Sequence, residues 1–378
     1  MGGPSRTIKG VATAITAFVG RTVRGPLDEP VTIFGFDDFE RVFGGRRRDL
    51  PVPYAVADFF DNGGTQALVV RVCAGAASEH DLFTGSKDRR TGIYSLANAD
   101  IFNILVVPPD LSLPGGDDDM RTIYGEAATY CNARRAILVA DPPEAWTASA
   151  TEDLLQAISS ADLPTASVDR RAAFAYFPRI LKRDPEDGDR EKPFSASGAI
   201  AGLFAATDAA HGVWIAPSGV KHTITGVAGV EHSLSDAQNV ALREMGVNAL
   251  RDVPGVGTVL WGARTLAGDA APDDDTSLPV RRLTNFIEES LYRGTRYAIF
   301  EPNAEPLWAD LRLRIGSFMA NLARQGAFYD YYVRCDASTT TANDVNLGRV
   351  NAIVAFAPVR AAEFVDVTIQ QLSHDTTV

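Results

Sequence analysis

Two hydrophobic periods run along this chain and divide it into elements. Val11 to Val19 mixes β-branched and small residues and reads as a strand, and Val31 to Phe34 reads as another after a turn bracketed by Pro26 and Pro30. Phe36, Phe39 and Phe43 fall at helical spacing up to Gly44 and Gly45. Pro53 to Phe60 predicts a helix with Tyr54, Val56, Ala57 and Phe60 inward, ended by Asn62, Gly63 and Gly64, and Ala67 to Val72 resumes as a strand.

After a polar stretch from Ser78 to Ala99 the rhythm changes. Strands at Ile101 to Val107, Ala136 to Ala140 and Ala173 to Phe177 alternate with helices at Met120 to Ala133 and Thr151 to Ser160, the pattern of a doubly wound, largely parallel sheet. Lys182 to Lys192 is nearly all charge, Gly and Pro and reads as an exposed loop. Ser195 to Ala206 and Asp236 to Met245 follow as helices, then Ala249 to Val253 and Thr258 to Trp261 as strands. An acidic, Pro-containing seam is expected at Asp269 to Asp275. Beyond it, Leu283, Phe286, Ile287 and Leu291 form one helical stripe, and Trp308, Leu311, Ile315, Phe318, Met319 and Leu322 another that ends at Gly326. Alternation then returns at Tyr331, Val333 and Cys335, along Val350 to Phe356, and at Val365, Val367 and Ile369. The fold class is therefore α/β, with a middle α/β domain over 95–265.

Composition narrows the function classes. The 378 residues hold 36 Lys plus Arg against 48 Asp plus Glu, a net charge of -12, which repels phosphate backbones and argues against nucleic acid as a partner. The one dense basic run, Arg46 to Arg48, reads as a solvated loop. No window approaches the ~18 to 20 apolar residues that span a bilayer, so no membrane insertion is expected. Arg6 and Lys9 ahead of Val11 to Val19 imitate a signal peptide, but Thr13 and Thr16 interrupt the apolar stretch. Cys73, Cys131 and Cys335 are odd in number and far apart, which suits buried thiols in a reducing compartment better than a disulfide framework or a zinc knuckle.

Candidate chemistry is sparse. Ser197 and Ser218 lack the upstream glycine of a nucleophile elbow. The five histidines include no HExxH, leaving a loop cluster of His211, His222 and His232 as the one metal arrangement to weigh against ordinary polar loop histidines. Gly255, Gly257 and Gly262 do not complete a dinucleotide fingerprint, and no phosphate-cradling loop exists. Asp141 and Asp208, near element ends, read as caps or turn formers. No cofactor and no catalytic residue is expected.

One resemblance covers nearly the whole chain. Ala17-Phe18-Val19-Gly20-Arg21-Thr22 with Gly25-Pro26, the helix end at Phe43-Gly44-Gly45, and Asp58-Phe59-Phe60-Asp61-Asn62-Gly63-Gly64 leading into Val69 to Val72 resemble the opening of contractile tail sheath proteins of phages and related injection systems. Asp208 to Trp214 with Ala216-Pro217, Gly246-Val247-Asn248, Trp261 to Leu266, Arg281-Arg282-Leu283, Phe300 to Asn303, Trp308 and Ala357-Pro358 follow in that family's order.

The resemblance implies a structural role: hexameric rings stacked around an inner tube, shortening to drive it through a target envelope. The implied partners are other copies of the chain, the tube, and baseplate and tail-terminator proteins. It also implies a subtilisin-like middle domain, an α+β domain built from N- and C-terminal segments, and extended terminal arms. The expected divisions are 1–20, 21–94, 95–265, 276–358 and an arm at 359–378. Strand donors to neighbours would be Val11, Thr13 and Ile15, and Val365, Val367 and Ile369. The receiving edges would hold Tyr331, Val333 and Cys335, and Val350, Ala352 and Val354. Arg312, Arg314 and Arg324 on the helix Leu307 to Gln325 would face the tube, the alternative being a solvated charged face. The family's usual Pro-Gly-Val-Tyr-like donor strand has only Met1 to Arg6 in its place, so a short or missing N-terminal arm is expected, whether by trimming, by a start lying upstream, or by joining through Val11 to Val19 and the C-terminal arm alone. The rival reading is a subtilisin-like hydrolase or a nucleotide-binding α/β enzyme.

Overall fold

The computed structural model describes residues 7–72, 80–110, 112–148, 169–268, 271 and 273–359. Its strands are β1 (Thr16–Gly20), β2 (Val31–Ile33), β3 (Ala67–Arg71), β4 (Ile104–Val106), β5 (Ile137–Ala140), β6 (Ala173–Phe177), β7 (Ile180–Asp184), β8 (Arg190–Phe194), β9 (Gly229–Val230), β10 (Val247–Val253), β11 (Gly257–Trp261), β12 (Phe328–Arg334) and β13 (Ile353–Pro358). The helices are α1 (Phe36–Phe43), α2 (Pro51–Asp61), α3 (His80–Thr84), α4 (Asp117–Ala133), α5 (Glu144–Ala148), α6 (Ser197–His211), α7 (Asp236–Glu244), α8 (Asp273–Thr276), α9 (Leu278–Gly294), α10 (Glu305–Arg324) and α11 (Ala342–Asn346). The helix expected at Thr151 to Ser160 lies outside the described residues. Among the described residues no helix is long and apolar enough to cross a membrane.

Eight strands form one sheet in the order β11-β10-β6-β5-β4-β1-β3-β2. The six inner strands run parallel, and β11 and β2 close the two edges antiparallel. Because both faces are covered, the central strands β4, β5 and β6 are continuous apolar and aromatic runs, not alternating. Ala17, Val19, Leu105 and Leu138 point to one side, where α4 and Leu242 of α7 cover them. Phe18, Ile104, Val106 and Val139 point to the other, under α2 and α6. Full burial of one such side chain is worth ~1.5 to 3 kcal/mol. The doubly wound expectation agrees with this architecture.

The chain forms two compact units, Met1–Pro302 and Asn303–Val378. Neither expected division, near residue 95 or at the acidic seam, coincides with that break. β1 lies between β3 and β4, so the N-terminal strands are part of the same sheet as the middle region. The helix after the seam, α9, is stapled to the first unit: Leu278 is fully buried in its core, Leu278 N–H donates to Ala263 O (3.0 Å), and Thr265 N–H donates to Thr276 O (2.9 Å).

Three local readings also change. Lys182 to Lys192 is a hairpin, β7 and β8, with Lys182 opposite Lys192. Asp184 Oδ1 accepts from Glu186 N–H (3.0 Å), and Gly188 takes a left-handed φ of 63° to turn the chain. Its charges are partnered: Lys182 with Asp58, Asp184 with the Tyr54 hydroxyl (2.9 Å) and Lys192 (3.4 Å), and Asp187 with Arg48 (2.6 Å) and Lys192. The basic run is thus partly structural, since Arg48 pins the hairpin tip and the Arg46 guanidinium lies 4.3 Å from the Phe36 ring centre. The strand expected over Val11 to Val19 begins only at Thr16. The strand expected over Val350 to Phe356 begins at Ile353, because Asn351 N–H donates to Thr340 Oγ1 (3.0 Å) instead of joining the ladder.

Candidate functional site

In an open parallel sheet the place to look for ligand chemistry is outside the carboxyl ends of the strands, where strand order reverses. Here that point lies between β1 and β4, and it is filled. Arg21, next after β1, pairs with Asp110 (2.6 Å from Nη2 to Oδ1) and with Ser112, both in the segment that follows β4. Asp110 is buried. Beside this pair opens a cleft of about 320 Å³, with Leu50, Pro51 and Tyr54 on one wall and Asp141, Arg179 and Ser195 on another. Its cations are already engaged: Arg179 with Glu231 (2.8 Å), Lys192 with Asp184 (3.4 Å), and Arg48 with Asp187.

Asp141 follows β5 at the amino end of α6. Its Oδ1 accepts from Ser197 N–H (3.2 Å), while Oδ2 has no hydrogen-bond partner among the described residues. The carboxylate therefore caps α6 from a distance, in line with the capping reading. Burial pushes its pKa up, and hydrogen bonds from Ser195, Ser197 and the first N–H groups of the helix offset this only in part. Ser195 and Ser197 hydroxyls lie 3.0 Å apart, but no histidine lines the cleft among its described residues, so a base to activate either hydroxyl is not placed there.

The raised carboxyl carries a stability consequence. A group whose folded pKa lies above its unfolded value contributes stability that is present below the unfolded pKa and lost as pH rises through the folded one. Asp141→Asn should therefore raise the melting temperature by about 1 to 3 °C at pH 7 to 8. The gain should shrink toward zero as pH falls to the ordinary carboxylate range near ~4. A gain independent of pH in differential scanning calorimetry would contradict this account of Asp141.

The histidine cluster assembles only partially. His211 and His222 rings sit 6.3 Å apart, and burial, then His211 and Lys221, depress the His222 pKa. His232 Nε2 is buried without a partner among the described residues. No three His, Cys, Asp or Glu side chains among the described residues are placed to hold a metal ion. Cys131 and Cys335 are buried free thiols whose pKa burial pushes up, away from thiolate reactivity; Cys73 lies outside the described residues.

The second unit offers a different kind of site. α10 buries Leu311, Ile315, Phe318, Met319 and Leu322, the stripe expected from spacing. β12 and β13 then pair antiparallel, Tyr331 opposite Phe356 and Val333 opposite Val354, with an irregularity between Phe328 and Asp330. Phe328, Tyr331 and Phe356 cluster, with ring centres 5.9 and 5.5 Å from Phe328, while Tyr332 and Ile353 are exposed. Among the described residues no third strand joins this ribbon, although the Tyr331 N–H on β12 is taken by Asp330 Oδ1 (2.8 Å). A two-stranded ribbon is marginal in water by itself.

Of the residues expected as strand acceptors, Tyr331, Val333 and Val354 stand on the ribbon; Cys335 is buried just past β12, and Val350 and Ala352 precede β13. Of the expected donors, Val11, Thr13 and Ile15 are tied by backbone bonds to their own chain: Val11 N–H donates to Ser290 Oγ (3.1 Å), Thr13 O accepts from Arg282 (3.1 Å), and Ile15 N–H donates to Asn103 Oδ1 (3.0 Å). Val365, Val367 and Ile369 lie outside the described residues. The three arginines on α10 have near neighbours: Arg312 pairs with Glu305 (2.9 Å) and reaches Cys335 O, Arg314 pairs with Asp310 (2.7 Å), and Arg324 approaches Asn321 (3.3 Å).

Sequence reasoning missed Arg282 and read Asp208 as a cap or turn former; the two form a buried ion pair between α9 and α6 (2.7 Å). A signal was present. Asp208 stands near the carboxyl end of α6, where the helix dipole disfavours an anion, so a cation had to be close.

Comparison with known proteins bears on both units. The family model for the phage tail sheath protein central domain matches residues 102–266, and that for the phage tail sheath C-terminal domain matches residues 272–371. The tail sheath protein of Vibrio phage KVP40 is 28% identical over 188 residues, 50% of this chain; the match spans only 28% of that protein's length. The tail sheath protein of Burkholderia phage BcepMu is 22% identical over 92% of this chain and 90% of its own. In fold, the chain is similar to the anti-feeding prophage helical sheath in its contracted state, with a TM-score of 0.79, 24% identity and coverage of 98% of this chain and 97% of that one. Two family models matched in order over 102–266 and 272–371, with tail sheath proteins as relatives, place this chain in the contractile tail sheath family.

Proposed function

We propose that this chain is a structural subunit of a contractile sheath. It polymerises as stacked hexameric rings around an inner tube and shortens to drive the tube through a target envelope. The observation that carries the reading is the β12–β13 ribbon, which no third strand joins among the described residues, in a chain whose relatives are tail sheath proteins. Such edges are completed by strand addition, in which backbone hydrogen bonds supply affinity and neighbouring side chains supply register. Segment 359–378 of a neighbouring copy is the donor in this reading. A joint of that kind survives rotation of the bodies on either side, as a sheath that shortens requires.

Other elements have subordinate roles. The sheet of the first unit is a rigid, subtilisin-like body, and its sheath relatives imply a non-enzymatic role. Arg312, Arg314 and Arg324 offer charge toward the tube, with baseplate and terminator proteins at the two ends of the polymer. The particle is a phage tail or a phage-tail-like assembly.

Negative-stain electron microscopy of the purified chain tests this directly. Rings, tubes or short wide polymers are expected as concentration rises. A single monodisperse species across the range, by microscopy and by sedimentation, would overturn the proposal.

A further inference from the structure

We propose that Arg282 is a positioning residue that clamps residues 7–15 as a fixed strap, and so sets the point from which the chain N-terminal to Thr7 leaves the body. The strap has no regular secondary structure, yet it is bonded along its length. Ile8 is buried, and a Cβ at Gly294 would come 2.7 Å from its Cγ2, so only glycine allows the approach. Val11 N–H is held by Ser290, whose side chain is buried in α9. Asn103 grips from the other side: Nδ2 donates to Ala12 O (2.8 Å) and Oδ1 accepts from Ile15 N–H.

Arg282 supplies what the others lack. Its guanidinium holds Asp208 through two bonds (2.8 and 2.7 Å), lies 4.9 Å from the Phe204 ring centre, and spends a further N–H on Thr13 O. Both charges are almost wholly inaccessible, at 3% and 2% exposure. A buried ion pair is weak evidence of stabilisation, since an apolar pair of similar volume often serves as well. An apolar pair cannot capture a backbone carbonyl. The fork geometry therefore points to the strap as the reason for the charge, since lysine's compact, rotatable ammonium does not reproduce a bidentate grip on the carboxylate with a third N–H fixed on Thr13 O.

This inference rests on the sheath reading in one respect: a segment that reaches a neighbour has to start from a defined root. The strap ends beside Gly294, at the carboxyl end of α9, so the N-terminal root and the stretch leading to Pro302 share one anchored position.

The test is the double variant Arg282→Met/Asp208→Leu in the full chain, with Arg282→Lys alongside. Hydrogen exchange at Val11 and Ile15 should accelerate roughly tenfold or more, the scale of one lost charge-assisted bond. Amides of Val19 and Val70 in the sheet should stay protected, and polymer yield should fall. Native protection at Val11 and Ile15 in a folded double variant overturns the clamp. Lost protection with unchanged polymer yield overturns its role in assembly. If the double variant does not fold, Arg282→Lys, which keeps the positive charge beside Asp208 but loses the fork, is judged by the same two criteria. Failure of the unmodified chain to polymerise would defeat the sheath reading, while the exchange measurement still decides the strap.

Discussion

Proline placed at Val354 and at Ala355 should give opposite phenotypes. Adjacent residues of a strand direct their N–H groups to opposite edges, and these two stand opposite Val333 and Tyr332 in the ribbon. The substitution whose lost N–H faced β12 removes a ladder bond and leaves its acceptor unpaired, a loss of ~1 to 3 kcal/mol. The other leaves the second unit folded, since proline is tolerated where the N–H looks away from the ladder. That second variant should nonetheless lose polymerisation, because an incoming strand meets a ring where it needs a donor. Thermal melts read the first effect and sedimentation velocity the second. If both variants form polymers like the unmodified chain, β13 is not an edge used in assembly.

Gly202→Leu should cripple the first unit. α2 and α6 cross so closely that a Cβ at Gly202 would lie 2.4 Å from Phe59 O, and one at Gly198 would lie 2.1 Å from Ala55 O. Those atoms are backbone, so relief requires moving a helix. Overpacking of this kind costs ~1 to 3 kcal/mol and occasionally more, and a four-carbon side chain against a helix backbone belongs at the upper end. Gly125 in α4 and Gly316 in α10 have open space around the same position, and Gly125→Ala should instead stabilise by ~0.5 to 1 kcal/mol. Urea midpoints for the two variants should move in opposite directions. Equal shifts would mean that the α2–α6 contact is looser than these distances state.

The contrast also explains what the sequence made legible. Ala173 to Phe177 was visible as a continuous apolar run, and the helix at Pro51–Asp61 was visible over Pro53 to Phe60 as inward-facing positions ahead of Asn62 and two glycines. The small-residue character of α6 was visible too, but its cause, a close crossing over α2, exists only once the two helices meet. The charged hairpin was hidden for a related reason. Lys182 and Asp58 are neutralised by each other from positions 124 residues apart, so neither looks paired when read locally. Conversely, Val11 to Ile15 has strand-like residues but no strand, because side chains of Asn103, Ser290 and Arg282 take the backbone groups a ladder would use. The site itself was partly readable: Tyr331 and Val333 alternate as an edge should, whereas the start of β13 depended on Thr340 capturing Asn351.

The bond between Val11 and Ser290 joins positions 279 residues apart. A body closed by such a contact cannot be finished on the ribosome until α9 has emerged, and pairings this distant in sequence make for slow folding. Synthesis then delivers the ribbon only after α9, which completes the contact, has been made. The order of the genetic message thus gives each newly made copy time to mature before it can recruit, or be recruited by, another.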